Sequence, residues 1–156
     1  MFELHRPGLL SNLLKEKGIQ HFNSAIDFVK HLPYKRISNN SDLSFLILEN
    51  CGTCSTKHAF LKKVAEEQNQ NEVDLILAIY KMDAKNTPGI GSALKNSSLE
   101  YVPEAHCFIR WQGEAIDCTN PDSDLKRIES DILLEKSISP EQVGQWNAKF
   151  HKNYIQ

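Results

Sequence analysis

The chain has 156 residues, a formal net charge of -2 and a pI near 6.3, with 40% hydrophobic and 24% charged residues. That length fits a single domain over residues 1–156 with its own core, and the near-neutral charge with dispersed lysines excludes a surface built for nucleic acid or anionic lipid. The opening MFELHRPGLLSNLLKEKG lacks the apolar stretch of roughly 7–15 residues of a secretory signal, and no run approaches the roughly 20 apolar residues of a membrane span. A cytoplasmic location follows as the expectation, with Cys51, Cys54, Cys107 and Cys118 free or catalytic rather than a disulfide framework.

In chain order, Leu9, Leu10, Leu13 and Leu14 recur at helical spacing, and Ala25, Ile26, Phe28 and Val29 give a second stripe that Pro33 closes. Residues 37–42 are a polar loop, and the apolar residues 43–48 fit strand and helix alike. From Ser55 the run STKHAFLKKVAEEQN is helical, which puts Cys54 at a helix N-terminus. VDLILAIYKM, residues 73–82, reads as a buried strand. The long connection over residues 83–103 is expected to hold a short helix near residues 92–96, and its part from Thr87 to Gly91 is a candidate lid. AHCFIRW and EAIDCT flank Gln112 and Gly113 as a hairpin. Helices are predicted over residues 125–134 and from Ser139 onward, the latter with Pro140 at its first position and Gln142 completing a capping box.

The hairpin carries chemistry. With Gln112 and Gly113 in the turn, Trp111 faces Glu114 and Phe108 faces Asp117, so His106, Phe108 and Arg110 share a face with Ala115, Asp117 and Thr119. His106 and Asp117 are then diagonal neighbours, close enough for a carboxylate to orient an imidazole. Upstream, the thiol of Cys54 would feel the positive end of its helix, which favours the thiolate, and Gly52 permits close approach of backbone or substrate.

GTCSTKHAFL (residues 52–61) followed by EAHCFIRWQGEAIDCTNP (residues 104–121) resembles the transglutaminase-like superfamily, as a small bacterial-type member with the geometry shared by papain-like thiol enzymes. The resemblance covers roughly residues 45–121 and implies an α+β fold: a helix opening at the nucleophile, packed on a small antiparallel sheet, with flanking N- and C-terminal helices. It further implies a catalytic triad of Cys54, His106 and Asp117, acting on a peptide, amide or small-molecule acyl substrate without a cofactor or metal. The His-to-Asp stretch is shorter than the family's usual one, so a trimmed hairpin is expected. No glutamine or tryptophan stands at the family's oxyanion-donor place before Cys54, which leaves Tyr34, Asn50 and Gly52 as candidates for that role.

Other readings of the same residues exist. Cys51-Gly52-Thr53-Cys54 is a C-x-x-C, as in thioredoxin-like oxidoreductases, where Cys51 and Cys54 would form the redox pair. A zinc site from Cys51, Cys54, Cys107 and Cys118 lacks a second closely spaced pair, and Cys107 and Cys118 are expected in the core instead. His58, one turn beyond Cys54, is a weaker candidate base, and Lys57 is expected to be solvated. His5, His21, His31 and His151 stand outside any constellation, and the helical spacing of Trp146, Phe150 and Tyr154 points to packing. A catalytically inactive interaction module of the same fold is the non-enzymatic alternative.

Overall fold

The computed structural model describes residues 1–156, with every side chain but that of Asn147. Two N-terminal helices come first, α1 (Leu9–Glu16) and α2 (Phe22–His31), burying Leu10 and Leu14 from one and Phe22, Ala25 and Val29 from the other. Gly8 offers α1 no side-chain cap; instead the Glu67 carboxylate accepts the N–H groups of Leu10 at 3.0 Å and Ser11 at 2.7 Å. The ambiguous segment over residues 43–48 resolves as a single helical turn, α3 (Phe45–Leu48).

Helix α4 (Cys54–Glu67) is the centre of the molecule, burying Phe60, Leu61 and Val64 without exposure between the N-terminal helices and the sheet. Its start is fixed by a reciprocal capping box between Thr53 and Thr56, which sets Cys54 as the first helical residue.

The sheet has four antiparallel strands in the order β3-β2-β1-β4. β1 (Val73–Met82) is its long central strand, paired along its whole length with β2 (Val102–Trp111) and on its other edge with β4 (Ile132–Ile138). Leu75, Leu77, Cys107 and Ile109 face the helices, whereas Ile76, Ala78 and Phe108 form a smaller cluster on the opposite face with Leu125 and Ile132. The connection between β1 and β2 holds α5 (Gly91–Ser97), and the chain ends in α6 (Gln145–Ile155). Among the described residues, no helix is long and apolar enough to cross a membrane.

The hairpin has the expected register, with Trp111 opposite Glu114 and Ile109 opposite Ile116. Gln112 and Gly113 both take positive φ, 51° and 85°, as the tight turn that matches strand twist requires. However, β3 (Glu114–Ile116) is only three residues long, and the ladder stops before Asp117.

Two expectations for the tail are corrected. Residues 125–134 do not form a helix: two 3-10 turns, Leu125–Arg127 and Glu129–Asp131, lead into β4. Without β4 the buried strand β1 would have one edge of unpaired backbone, so long-range pairing outweighs local helical spacing. The capping box of Ser139 and Gln142 does form, but it opens a 3-10 turn, Pro140–Gln142, which ends before Gly144 at φ 99°; α6 starts only at Gln145.

Candidate active site

Because β3 ends early, the edge of β2 at Cys107 is not covered by a strand, and Cys54 at the head of α4 takes that place. The Cys107 backbone N–H donates to the Cys54 sulfur. One residue earlier on β2, His106 bonds to Cys54 and, through Nε2, to Asp117 Oδ2 at 2.8 Å. Nε2 being engaged, Nδ1 is the nitrogen left for the thiol. The other Asp117 oxygen, Oδ1, accepts the Thr119 N–H at 2.9 Å and the Thr119 hydroxyl at 2.6 Å. The carboxylate side chain is 7% exposed and the imidazole 16%, so the pair acts with little screening by water.

The electrostatics follow from these contacts. Burial alone would raise the Asp117 carboxyl, but the hydrogen bond and charge of His106 overcome it and hold Asp117 well below the usual carboxylate range. Burial would lower His106, yet its bonds to Asp117 and Cys54 push it up to about 10. Burial also opposes a charged thiol at Cys54; the bond and charge from His106, the Cys107 N–H and the Tyr34 hydroxyl together bring it below its ordinary value. These contacts all favour the thiolate–imidazolium form of the Cys54–His106 pair, the reactive form of a nucleophilic cysteine.

Of the three oxyanion candidates, only Tyr34 is at the site. A short parallel bridge between Tyr34 and Gly52 lays this segment beside the approach to α4, with Gly52 N–H donating to Pro33 O at 3.1 Å and Lys35 N–H to Gly52 O at 3.2 Å. The Tyr34 hydroxyl faces both the sulfur and the backbone N–H of Cys54; burial and the thiolate push the phenol up to about 12, so it remains a donor. Gly52 cannot serve, because its N–H is spent on Pro33. Its need is steric: a Cβ there would lie 3.0 Å from Lys57 Cγ and 3.1 Å from Leu46 Cδ1. Asn50, at φ 53° after α3, lines a separate depression beside α2 that contains none of the triad. The donor that remains beside Tyr34 is the Cys54 N–H itself, a first-turn group without an intrahelical acceptor.

Lys57 and His58 lie behind Cys54 on α4, and the structure corrects the expectation of a solvated Lys57. Its side chain is fully buried, with Nζ donating to Leu32 O at 2.5 Å and Thr119 O at 2.7 Å. One ammonium thus ties down the chain two residues before Tyr34 and two after Asp117. His58 is no base. Its Nδ1–H donates to Cys54 O at 2.6 Å and its Nε2 accepts the Cys118 N–H at 2.6 Å, a pairing that requires the neutral ring. Burial, chiefly, lowers His58 to about 4. Folding should therefore lose stability as pH falls from the unfolded value near 6.5 towards about 4, by up to 1.4 kcal/mol per pH unit, levelling off below. Urea unfolding from about pH 7 to 4 checks this: His58→Leu should lack that part of the acid slope, and an unchanged slope would remove the neutral-His58 account.

Lys57 left one trace in the sequence: α4 is apolar on opposing sides, which leaves little solvated face for a lysine in its first turns. Thr119 could have been read from Asp117-x-Thr119, the spacing at which an aspartate accepts from the backbone two residues on.

The thiol opens into a cleft of about 440 Å³ walled by Tyr34, Arg36, Glu104, Ala148 and His151. Ala148 and His151 of α6 line it, whereas the expected lid around Thr87 to Gly91 does not, and the His151 Nε2–H donates to Pro103 O of β2 at 2.8 Å. The C-x-x-C reading gains no geometric support: Cys51 is 4% exposed and every pair in the sheet is antiparallel. Cys107 and Cys118 lie in the helix-facing core, and burial pushes Cys118 up to about 12. Comparison of the chain with family models, curated proteins and solved structures finds no match.

Proposed function

We propose that the chain is a cysteine-dependent acyl-transfer or hydrolytic enzyme using Cys54 as nucleophile, His106 as proton carrier and Asp117 as the group that orients His106. The observation that carries this reading is the unbroken hydrogen-bonded line from Asp117 through His106 to Cys54, ending at the first residue of a helix. Together with the motifs around Cys54 and His106, it supports a transglutaminase-like arrangement.

In the reaction, the Cys54 thiolate adds to a carbonyl carbon while the Cys54 N–H receives the developing oxyanion, with the Tyr34 hydroxyl moved from the nitrogen to the oxyanion. The bond to the leaving nitrogen or oxygen then breaks, and that group departs with the proton from His106. A thioester remains. Water or an amine, deprotonated by the now neutral His106, attacks it and returns the free thiol.

p-Nitrophenyl acetate tests the acylation half directly. The expected result is a burst of p-nitrophenolate equal to the protein present and an acetyl group on Cys54, found by mass spectrometry and missing from Cys54→Ser. Acetyl on Cys51 or on surface lysines alone, without a burst, would refute the proposal.

A further inference from the structure

Building on the reading of Cys54 as an acylating thiol, we infer that the acyl donor carries a carboxylate beside its reacting carbonyl and that Arg36 receives it. The bridge to Gly52 that brings Tyr34 to the thiol also fixes Lys35 and Arg36 on the same wall of the cleft. The contrast is with the arginine of the neighbouring surface: Arg110 grips the Glu135 carboxylate at 3.0 and 3.1 Å. Among the described residues, the Arg36 guanidinium has no ion pair and no hydrogen bond, and it is close enough to Tyr34 for its charge to favour the ionised phenol. A planar, unpaired guanidinium is the side chain best matched to the two oxygens of a carboxylate.

The rest of the cleft agrees in sign. The first turn of α4 contains no acidic residue, so its positive end is not offset, and His106 adds a cation at the thiol. One carboxylate, Glu104, also lines the cleft, and its Oε1 accepts the Ala105 N–H at 3.1 Å. Arg36 and Glu104, of opposite charge, line the same cleft, so a donor carboxylate is drawn to Arg36 and repelled by Glu104. When Cys54 forms its bond to the carbonyl carbon, the leaving group departs with the proton from His106, and the carboxylate on Arg36 stays unchanged on the acyl part.

Iodoacetate and iodoacetamide separate this inference from the reading beneath it. Both are attacked by the same thiolate, forming an S–C bond as iodide leaves with the C–I electron pair, and they differ only in carboxylate against amide. The quantity to measure is the ratio of their second-order rates at low salt, for wild type, Arg36→Gln and Arg36→Lys, with N-acetylcysteine as the free-thiol reference. Wild type should favour iodoacetate more than the reference does, and Arg36→Gln should lower the ratio about three- to tenfold while its iodoacetamide rate stays within about twofold. Arg36→Lys should keep most of the preference. An unchanged ratio in Arg36→Gln, or an equal loss in Arg36→Lys, overturns the inference and leaves the activated thiol standing. Iodoacetamide reacting no faster at about pH 6 than with the free thiol would overturn both.

Discussion

At about pH 6, His106→Ala should alkylate with iodoacetamide on the order of a hundredfold more slowly than wild type, because an ordinary thiol, titrating near 8.5, holds only about 0.3% thiolate there. Burial would push the Cys54 thiol higher still once the imidazolium is gone. The greater intrinsic nucleophilicity of a less acidic thiolate returns part of the loss. In wild type the alkylation rate should rise where Cys54 ionises, below the ordinary thiol range, and the imidazolium's influence on the thiolate should end as His106 loses its proton at about 10. The folded-state gain from charged His106 has the same upper limit: it is complete below the unfolded value near 6.5 and is lost as pH rises through about 10. Rate against pH for the two proteins is the measurement. Superimposable profiles would mean that the bond between His106 and Cys54 does not control the thiol.

Lys57→Met should cost about 2–4 kcal/mol of folding stability, although the new side chain nearly fills the same volume. Replacing a buried ion pair by apolar groups is often harmless because both partners leave together. Here the partners are the backbone carbonyls of Leu32 and Thr119, which remain and lose their donor. The damage should reach the thiol as well, since the same ammonium fixes the segments that carry Tyr34 and Asp117. Urea unfolding gives the stability, and the alkylation profile of the variant should shift towards higher pH. A Lys57→Met chain as stable as wild type, with an unshifted profile, would show that the clamp is dispensable.

The parts of this site that local rules control were legible in the sequence. Two turn residues between alternating runs determine a register, which the ladder follows as far as Ile116 without the Phe108–Asp117 pair, and His106 and Asp117, diagonal in that register, do meet. Cys54 at a helix start was legible for the same reason, since the helical pattern from Ser55 is local; the Thr53 cap that fixes it is equally local but was shown by the structure. What escaped was set by chain segments far apart. The fate of residues 132–138 depended on an empty edge of β1, and that of Lys57 on carbonyls 25 and 62 residues away. Asn50 and Gly52 looked like oxyanion donors because they are near Cys54 in sequence; one faces another depression and the other has its N–H engaged.

The three-residue length of β3 has a kinetic consequence. The thiol gains its low proton affinity only when Cys54 docks on the uncovered edge of β2 and meets His106, a third of the chain away. Contacts of such separation form after local helices and turns. During refolding, Cys54 should therefore stay an ordinary thiol while α4 already exists, and become reactive at neutral pH in the step that closes the sheet, which makes its alkylation rate a clock for the last stage of assembly.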